Sequence, residues 1–116
     1  GSDTFLYNTN AIFTASATGV DTIFDLTFPD RITLDKTTFT ALASVAGTGF
    51  SIASDFGIVN TTAAVETSAA RIVYNASNGR LFYNQNGSAT GLGTGAQFAT
   101  LLGAPLLSTS NFVVQA

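Results

Sequence analysis

Apolar and polar residues alternate in short runs along this chain, and turn residues separate the runs. Two such runs, residues 72–74 and 81–83, flank the segment Asn-Ala-Ser-Asn-Gly at 75–79. Asn and Gly both tolerate positive φ, so this segment predicts an antiparallel hairpin with a five-residue connection. Arg71 and Arg80 stand beside the apolar runs and predict one solvated and one buried face. We take this hairpin as the centre on which the other strands assemble.

Further strands are predicted wherever β-branched and aromatic residues alternate with polar ones. They cover residues 3–8, 21–28, 31–35, 50–59 (with a break near 54–55), 96–102 and 112–116. We expect the strand at 96–102 to pair with the hairpin. In the strand at 31–35 the alternation predicts that Ile32 and Leu34 point inward and that Arg31 and Thr33 point outward.

Two short helices are predicted between the strands. Asp35 is a plausible N-cap for a helix over residues 36–45, with Phe39 and Leu42 or Ala43 on its buried face. A second helix is predicted over residues 63–69. The sequence contains neither a repeat of fixed period nor a linker, so we expect a single mainly β domain over residues 1–116. Its predicted architecture is an antiparallel β-sandwich or a β-roll-like cap domain.

Composition excludes several classes of function. Charged residues make up only 9% of the 116 residues, the net charge is −3, and Cys and His are absent. Four basic residues are too few for a nucleic-acid footprint, and no apolar run is long enough to insert into a membrane. Without Cys or His, thiol chemistry, imidazole catalysis and soft-metal sites are excluded. Such an uncharged surface predicts that part of it is covered in the full protein.

The densest carboxylates offer a candidate cation site. Asp21 and Asp25 lie four residues apart, on one face of a regular strand but roughly 13 Å from each other. Asp30 and Asp35 follow a turn and would have to converge on them. One interpretation is a hard-cation site for Ca²⁺, and the competing one is that these residues cap turns.

Other candidate chemistry has a structural explanation. Glu66 is the only Glu, so a glycosidase pair of carboxylates is not supported, and we expect no enzyme activity. Tyr74 and Tyr83 are candidates for a sugar-stacking surface, although alternation in a half-buried sheet explains them better as core residues. The glycine-rich segment 91–95 is interpreted as a loop and not as a phosphate site, because no Lys follows it.

Three segments in order resemble the C-terminal region of RTX (repeats-in-toxin, hemolysin-type calcium-binding) proteins, especially cyanobacterial ones. Residues 1–7 look like a last glycine/aspartate repeat. The segments VDTIFDL at 20–26 and DRITL at 30–34 resemble the stretch that follows such repeats. The third segment comprises IVYN at 72–75, NGRLFYNQNG at 78–87, QFATL at 97–101 and Asn111-Phe112, and it is similar to the terminal part.

The resemblance implies a non-catalytic module of a secreted bacterial protein, extracellular or at the cell surface. Its implied partners are the upstream β-roll repeats of the same chain, which it caps, and a type I secretion exporter. The apolar ending Phe112, Val113 and Val114 looks like the uncleaved signal that such exporters read. Asp3 would join Asp21, Asp25 and Asp30 as a calcium ligand, but the partner turn of a full repeat is missing and Asn replaces Asp at residues 84 and 86.

A second hypothesis belongs to a different class of function. Low charge and many Thr side chains also suit an extracellular surface-attachment or self-assembly module that binds a glycan or another protein.

Overall fold

A computed structural model describes residues 4–7, 21–23, 31–86, 91–92, 95–104, 107 and 109–115. Nine strands and one α-helix lie within these ranges, together with two short 3-10 helices at Ala53–Asp55 and Thr109–Asn111. The strands are β1 Thr4–Tyr7, β2 Asp21–Ile23, β3 Arg31–Asp35, β4 Gly47–Thr48, β5 Phe56–Val59, β6 Ile72–Asn75, β7 Arg80–Tyr83, β8 Gln97–Leu101 and β9 Phe112–Gln115; helix α1 is Thr62–Thr67. The prediction of a mainly β fold with one or two short helices is confirmed.

The strands form two sheets. The four-stranded sheet has the order β1-β3-β9-β4, and the five-stranded sheet has the order β2-β8-β7-β6-β5. β1, β3 and β9 are mutually parallel, as are β2 with β8 and β5 with β6. Both sheets are therefore mixed, which departs from the antiparallel pairing expected in the first of the two predicted architectures. The parallel pairs β1–β3, β3–β9 and β2–β8 join strands between which the chain visits the other sheet, whereas the parallel strands β5 and β6 are joined through α1.

The order in which the chain visits the two sheets describes a coil. It runs from β1 in the four-stranded sheet to β2 in the five-stranded sheet and back to β3, which lies parallel beside β1. A second coil leads from β3 to β8, parallel beside β2, and then to β9, parallel beside β3. Residues 36–96 are inserted into this second coil. They contribute β4 to one sheet and β5, β6 and β7 to the other.

The two sheets face each other across one apolar core. Side chains from both sheets belong to this core: Ile32, Leu34, Phe112 and Val114 from the four-stranded sheet, and Ile23, Ile72, Tyr74, Leu81, Tyr83, Phe98, Ala99 and Leu101 from the five-stranded sheet. Phe112 of β9 packs against Phe56 of β5 with ring centroids 5.0 Å apart, which is a direct contact between the sheets. Phe39, from the inserted segment, contacts Tyr83 and Phe98 edge-on at 5.1 and 5.2 Å.

The hairpin predicted at the centre of the chain is present. β6 and β7 are antiparallel, with Asn75 opposite Arg80. Gly79 has φ +75°, and β8 pairs with β7 as expected. One detail is wrong: β6 does not have a solvated face, because all of its residues are buried. Val73 lies on the outer face, where Val65 of α1 covers it in a second apolar cluster.

Two expectations for the strand β3 and the residues after it are wrong. Thr33 is buried, since β3 lies inside its sheet between β1 and β9. Residues 36–45 form turns instead of a helix. The N–H groups of Ala43 and Ser44 donate to the Asp55 carboxylate at 2.9 and 2.7 Å, whereas a helix requires them to donate to carbonyls four residues earlier. Ala43 is exposed, while Phe39 and Leu42 are buried as predicted.

Other predictions hold with shifted bounds. The strand expected at 50–59 begins only at Phe56, after the 3-10 helix at Ala53–Asp55. The helix expected at 63–69 is α1, with Thr61 as its N-cap through a 3.1 Å bond from the Ala64 N–H. Of the strand expected at 21–28, the described part is β2, and residues 24–28 lie outside the described residues.

Substitution of two glycines tests the close packing of the hairpin turn against β8. Gly79 and Gly103 have similar positive φ of +75° and +82°, but a Cβ at Gly79 overlaps the Leu101 carbonyl oxygen, whereas a Cβ at Gly103 meets open space. We expect Gly103→Ala to lower the free energy of unfolding by about 1 kcal/mol from backbone strain alone. Gly79→Ala should cost about 2 kcal/mol more, because the turn must move. Urea unfolding of both variants measures the difference, and equal losses would contradict the packing described here.

Candidate functional site

The predicted secretion signal lies inside the fold. Phe112 and Val114 are 0% and 1% exposed and belong to β9, which has β3 on one side and β4 on the other. Val113 points to the opposite face and is half-buried. The Phe112 ring contacts Phe50 and Phe56 at centroid distances of 5.2 and 5.0 Å. In the folded protein, two of the three apolar side chains of the tail are therefore inaccessible to a partner.

A polar network closes the end of β9 and β3. Asp35 is 4% exposed, and its Oδ1 accepts bonds from the Thr37 N–H at 2.8 Å and the Thr37 hydroxyl at 2.5 Å. Its Oδ2 accepts a bond from the Gln115 side-chain amide at 3.0 Å, and the Lys36 N–H donates to the Gln115 carbonyl. Both carboxylate oxygens are thus engaged within the protein. Asp35 thus links the ends of the two parallel strands β3 and β9.

The same hydrogen bonds set the ionisation of Asp35. The hydroxyl and N–H of Thr37 stabilise the charged carboxylate and lower the pKa of Asp35 below its ordinary value of 3.8, against the opposing effect of burial. The Gln115 amide adds to this lowering. Protonation of Asp35 therefore weakens the contact between β3 and β9.

The turn at Asp35 recurs at two other strand ends. Arg-Ile-Thr-Leu-Asp at 31–35, Arg-Ile-Val-Tyr-Asn at 71–75 and Arg-Leu-Phe-Tyr-Asn at 80–84 share one pattern, and it contains every Arg of the chain. In each case the terminal side-chain oxygen accepts the N–H two residues later: Thr37 to Asp35 at 2.8 Å, Ser77 to Asn75 at 3.0 Å and Asn86 to Asn84 at 3.0 Å. This shared Asx turn was missed in the sequence, although the pattern itself signals it.

Asn84 also connects α1 to the hairpin. Its fully buried amide donates to the carbonyls of Ser68 and Ala70 at 2.8 and 3.0 Å. The segment between α1 and β6 is thereby fixed against the end of β7. An Asp at this position would lack the donor, so these two hydrogen bonds give a structural reason for Asn at residue 84.

The four residues predicted as calcium ligands are not brought together by the described structure. Asp3, Asp25 and Asp30 lie outside the described residues, and Asp21 begins β2, where its backbone pairs with Ala99. Across the described ranges, no group of three or more acidic residues lies close enough to hold a metal ion. The calcium site of this module stays a prediction.

The aromatic residues considered for sugar stacking belong to the core. Tyr74 and Tyr83 are both 1% exposed, and the Tyr83 hydroxyl accepts a bond from the Ala41 N–H at 2.9 Å. Burial raises the pKa of Tyr74. The interpretation of these two residues as core is correct, and neither ring is open to a ligand.

Two general findings complete the geometry. Within the part of the chain that is described, no helix has the length and apolar character needed to cross a membrane. Comparison with protein-family models, with curated proteins and with solved structures finds no match for this chain.

The link between β3 and β9 at Asp35 predicts a measurable dependence of stability on pH. Because the folded-state pKa of Asp35 lies below its ordinary value of 3.8, its contribution is complete well above pH 3.8 and is lost as the pH falls through the lower folded-state value. Asp35→Asn should reduce the loss of folding stability at low pH. The turn should be kept, since Asn75 and Asn84 make the same turn without charge. Urea midpoints between pH 2 and 7 test this, with Glu66→Gln at an exposed position as the control substitution. An unchanged pH profile in Asp35→Asn would contradict the assignment.

Proposed function

We propose that this chain is the non-catalytic C-terminal module of a secreted RTX-type calcium-binding protein. In this role it closes the calcium-binding β-roll and carries an uncleaved type I secretion signal. The coil path supports the proposal: β1, β3 and β9 stack in parallel in one sheet, and β2 and β8 stack in parallel in the other. Such a path is that of a β-roll, which is the fold the sequence resemblance implies upstream.

The negative charge of the glycine/aspartate repeats explains how the repeats and this module would work together. Glycine/aspartate repeats without calcium repel one another and stay unfolded in the cell, where an exporter threads them. Calcium outside the cell folds the repeats into a roll, whose last coil has unpaired strand edges. Unpaired edges promote aggregation, and a module with matching strands removes them. Charge-poor residues suit a module that is partly covered by its neighbour.

The burial of the tail adds a condition to the proposed export. Phe112 and Val114 are core residues once the four-stranded sheet has formed. An exporter that reads these side chains must bind them before β9 pairs with β3. Export and folding of this module would then compete for the same residues, and slower folding would favour export.

A pair of variants distinguishes loss of the proposed export signal at residues 112–114 from a general loss of stability. Val113→Asn changes a half-buried tail residue, whereas Phe98→Ala removes a fully buried ring outside the tail and costs about 3–5 kcal/mol. With a passenger fused before residue 1 and a type I exporter present, we expect Val113→Asn to reduce export several-fold. Phe98→Ala should leave export unchanged or raise it. Loss of export in Phe98→Ala with normal export in Val113→Asn would refute the tail as signal.

A second candidate function is self-assembly. Four large apolar side chains are exposed among the described residues, and Val45 and Ile58 are the most exposed, at 64% and 50%. Ile58 lies on β5, whose only neighbour in the described five-stranded sheet is β6.

This candidate is tested by the state of the purified chain. If β5 is a self-assembly edge, sedimentation should show a dimer or larger species that Ile58→Asp converts to a monomer, with Val45→Asp as the matched control away from the strand. A monomer at all concentrations, together with no glycan bound on an array, leaves the secretion module as the function.

A further inference from the structure

The turn between β6 and β7 contains the pair Asn78-Gly79, a sequence prone to deamidation. Glycine has no Cβ, so in an unfolded chain little shields the Gly79 nitrogen from the side-chain carbonyl carbon of Asn78. Rotation of the chain brings these two atoms together, and the nitrogen can then attack the carbon. The sequence has one other Asn-Gly pair, Asn86-Gly87, whose glycine lies outside the described residues.

The folded turn holds Gly79 from both sides. Its N–H donates to the Asn75 carbonyl at 2.9 Å, and its carbonyl accepts the Leu101 N–H at 2.6 Å. A Cβ built on Gly79 would overlap the Leu101 carbonyl oxygen and lie 3.3 Å from the Ala104 Cα, so the backbone of Gly79 is closely packed. Gly79 is buried, although the neighbouring Asn78 is exposed.

The surroundings of the turn also oppose its opening. The Asn78 Oδ1 accepts the Arg80 N–H at 3.2 Å, which restrains the side chain that must react. β6 and β7 lie inside the five-stranded sheet, with β5 on one side and β8 on the other. Ring closure at Asn78 would remove the Gly79 hydrogen and with it the bond to the Asn75 carbonyl. Reaction therefore requires the hairpin to open first.

We propose that Asn78 is a deamidation site that reacts only when this hairpin is open, and that its isoaspartyl product does not fit the closed turn. Solvent base removes the proton from the Gly79 nitrogen, which then forms a bond to the Asn78 Cγ. The bond from Cγ to Nδ2 breaks, and Nδ2 takes up a proton and leaves as ammonia. The product is a cyclic succinimide, and the reaction needs no oxidant or cofactor.

Water opens the succinimide on either side of the ring nitrogen. Cleavage of the bond from Cγ to nitrogen gives ordinary aspartate, whose carboxylate oxygen can accept the Arg80 N–H as the Asn78 Oδ1 does. Cleavage of the bond from the main-chain carbonyl carbon to nitrogen gives isoaspartate, in which the backbone runs through Cβ and Cγ. The lengthened backbone must displace Gly79 from its contact with Leu101. A chain that stays unfolded for long thereby loses the ability to close the hairpin, whatever the function of the module.

Ageing of the full chain at mildly alkaline pH, in buffer and in urea, tests the dependence on folding. Mass spectrometry of proteolytic peptides measures the mass gain when an amide becomes a carboxyl group. We expect Asn78 to react at least about a hundredfold more slowly in buffer, because the rate follows the population of the opened form. In urea, Asn86 should react at a rate similar to that of Asn78. Equal rates for Asn78 in buffer and in urea would overturn the proposal.

Two variants separate opening of the hairpin from the chemistry. Phe98→Ala destabilises the fold away from the turn and should speed the reaction of Asn78 in buffer by about tenfold or more. Gly79→Ala places a Cβ beside the attacking nitrogen, so in urea it should slow the reaction of Asn78 several-fold and leave that of Asn86 unchanged. An unchanged rate for Asn78 in Gly79→Ala would contradict the succinimide route.

Refolding of the aged chains tests the second part of the proposal. Chains with isoaspartate at position 78 are separated from those with ordinary aspartate, and Asn78→Asp serves as the matched control. We expect Asn78→Asp to unfold at nearly the same urea concentration as the unmodified chain, and isoaspartyl chains to unfold at a clearly lower one. An unchanged midpoint for the isoaspartyl chains overturns this part. An equal loss in Asn78→Asp also overturns it, because charge and not backbone length would then be the cause.

Discussion

Every strand in this chain must pair its backbone N–H and C=O groups, and parallel pairing with the strand one coil away is how the main path achieves this. β3 is hydrogen-bonded to β1 on one side and to β9 on the other, and β8 is hydrogen-bonded to β2. The two sheets can then bury their facing side chains in a single core, where Phe112 and Phe56 touch across the gap. Interruption of the parallel ladder at any strand would leave buried polar groups without partners, so the fold depends on it.

The parts that sequence patterns predict correctly are those set by neighbouring residues. The hairpin follows from the turn residues Asn78 and Gly79, of which Gly79 has a positive φ, and the strands at β3 and β9 follow from local alternation. Parallel pairing is set by residues far apart in the chain, so no local signal distinguishes it from antiparallel pairing. The continuous burial of β6 likewise depends on α1, which covers Val73 from outside.

The helix predicted at residues 36–45 does not form, and it shows how a distant group overrides a correct local signal. Asp35 does form the Asx turn that an N-cap uses, with bonds from Thr37. The helix fails further on, because Asp55 takes the N–H groups of Ala43 and Ser44. A buried carboxylate with several donors is worth more than helical bonds in a segment rich in β-branched Thr. The candidate calcium ligands could not be placed from sequence for the same reason, since convergence of Asp side chains is a non-local property.

The low charge of the chain has a consequence for the edge strands of its two sheets. Few charged residues are available to protect strand edges, because Asp35 and Asp55 are buried and all three Arg stand at the starts of strand segments. At the edge formed by β4, a strand of only two residues leaves almost nothing for another strand to pair with, whereas the edge strand β5 has four residues and no charged residue. Of the other two edge strands among the described residues, β1 carries neither charge nor Pro, whereas β2 has only three residues and begins with Asp21. Uncharged edges such as those of β1 and β5 promote aggregation unless another strand covers them, so the low charge of the chain makes the coverage of these edges important for solubility.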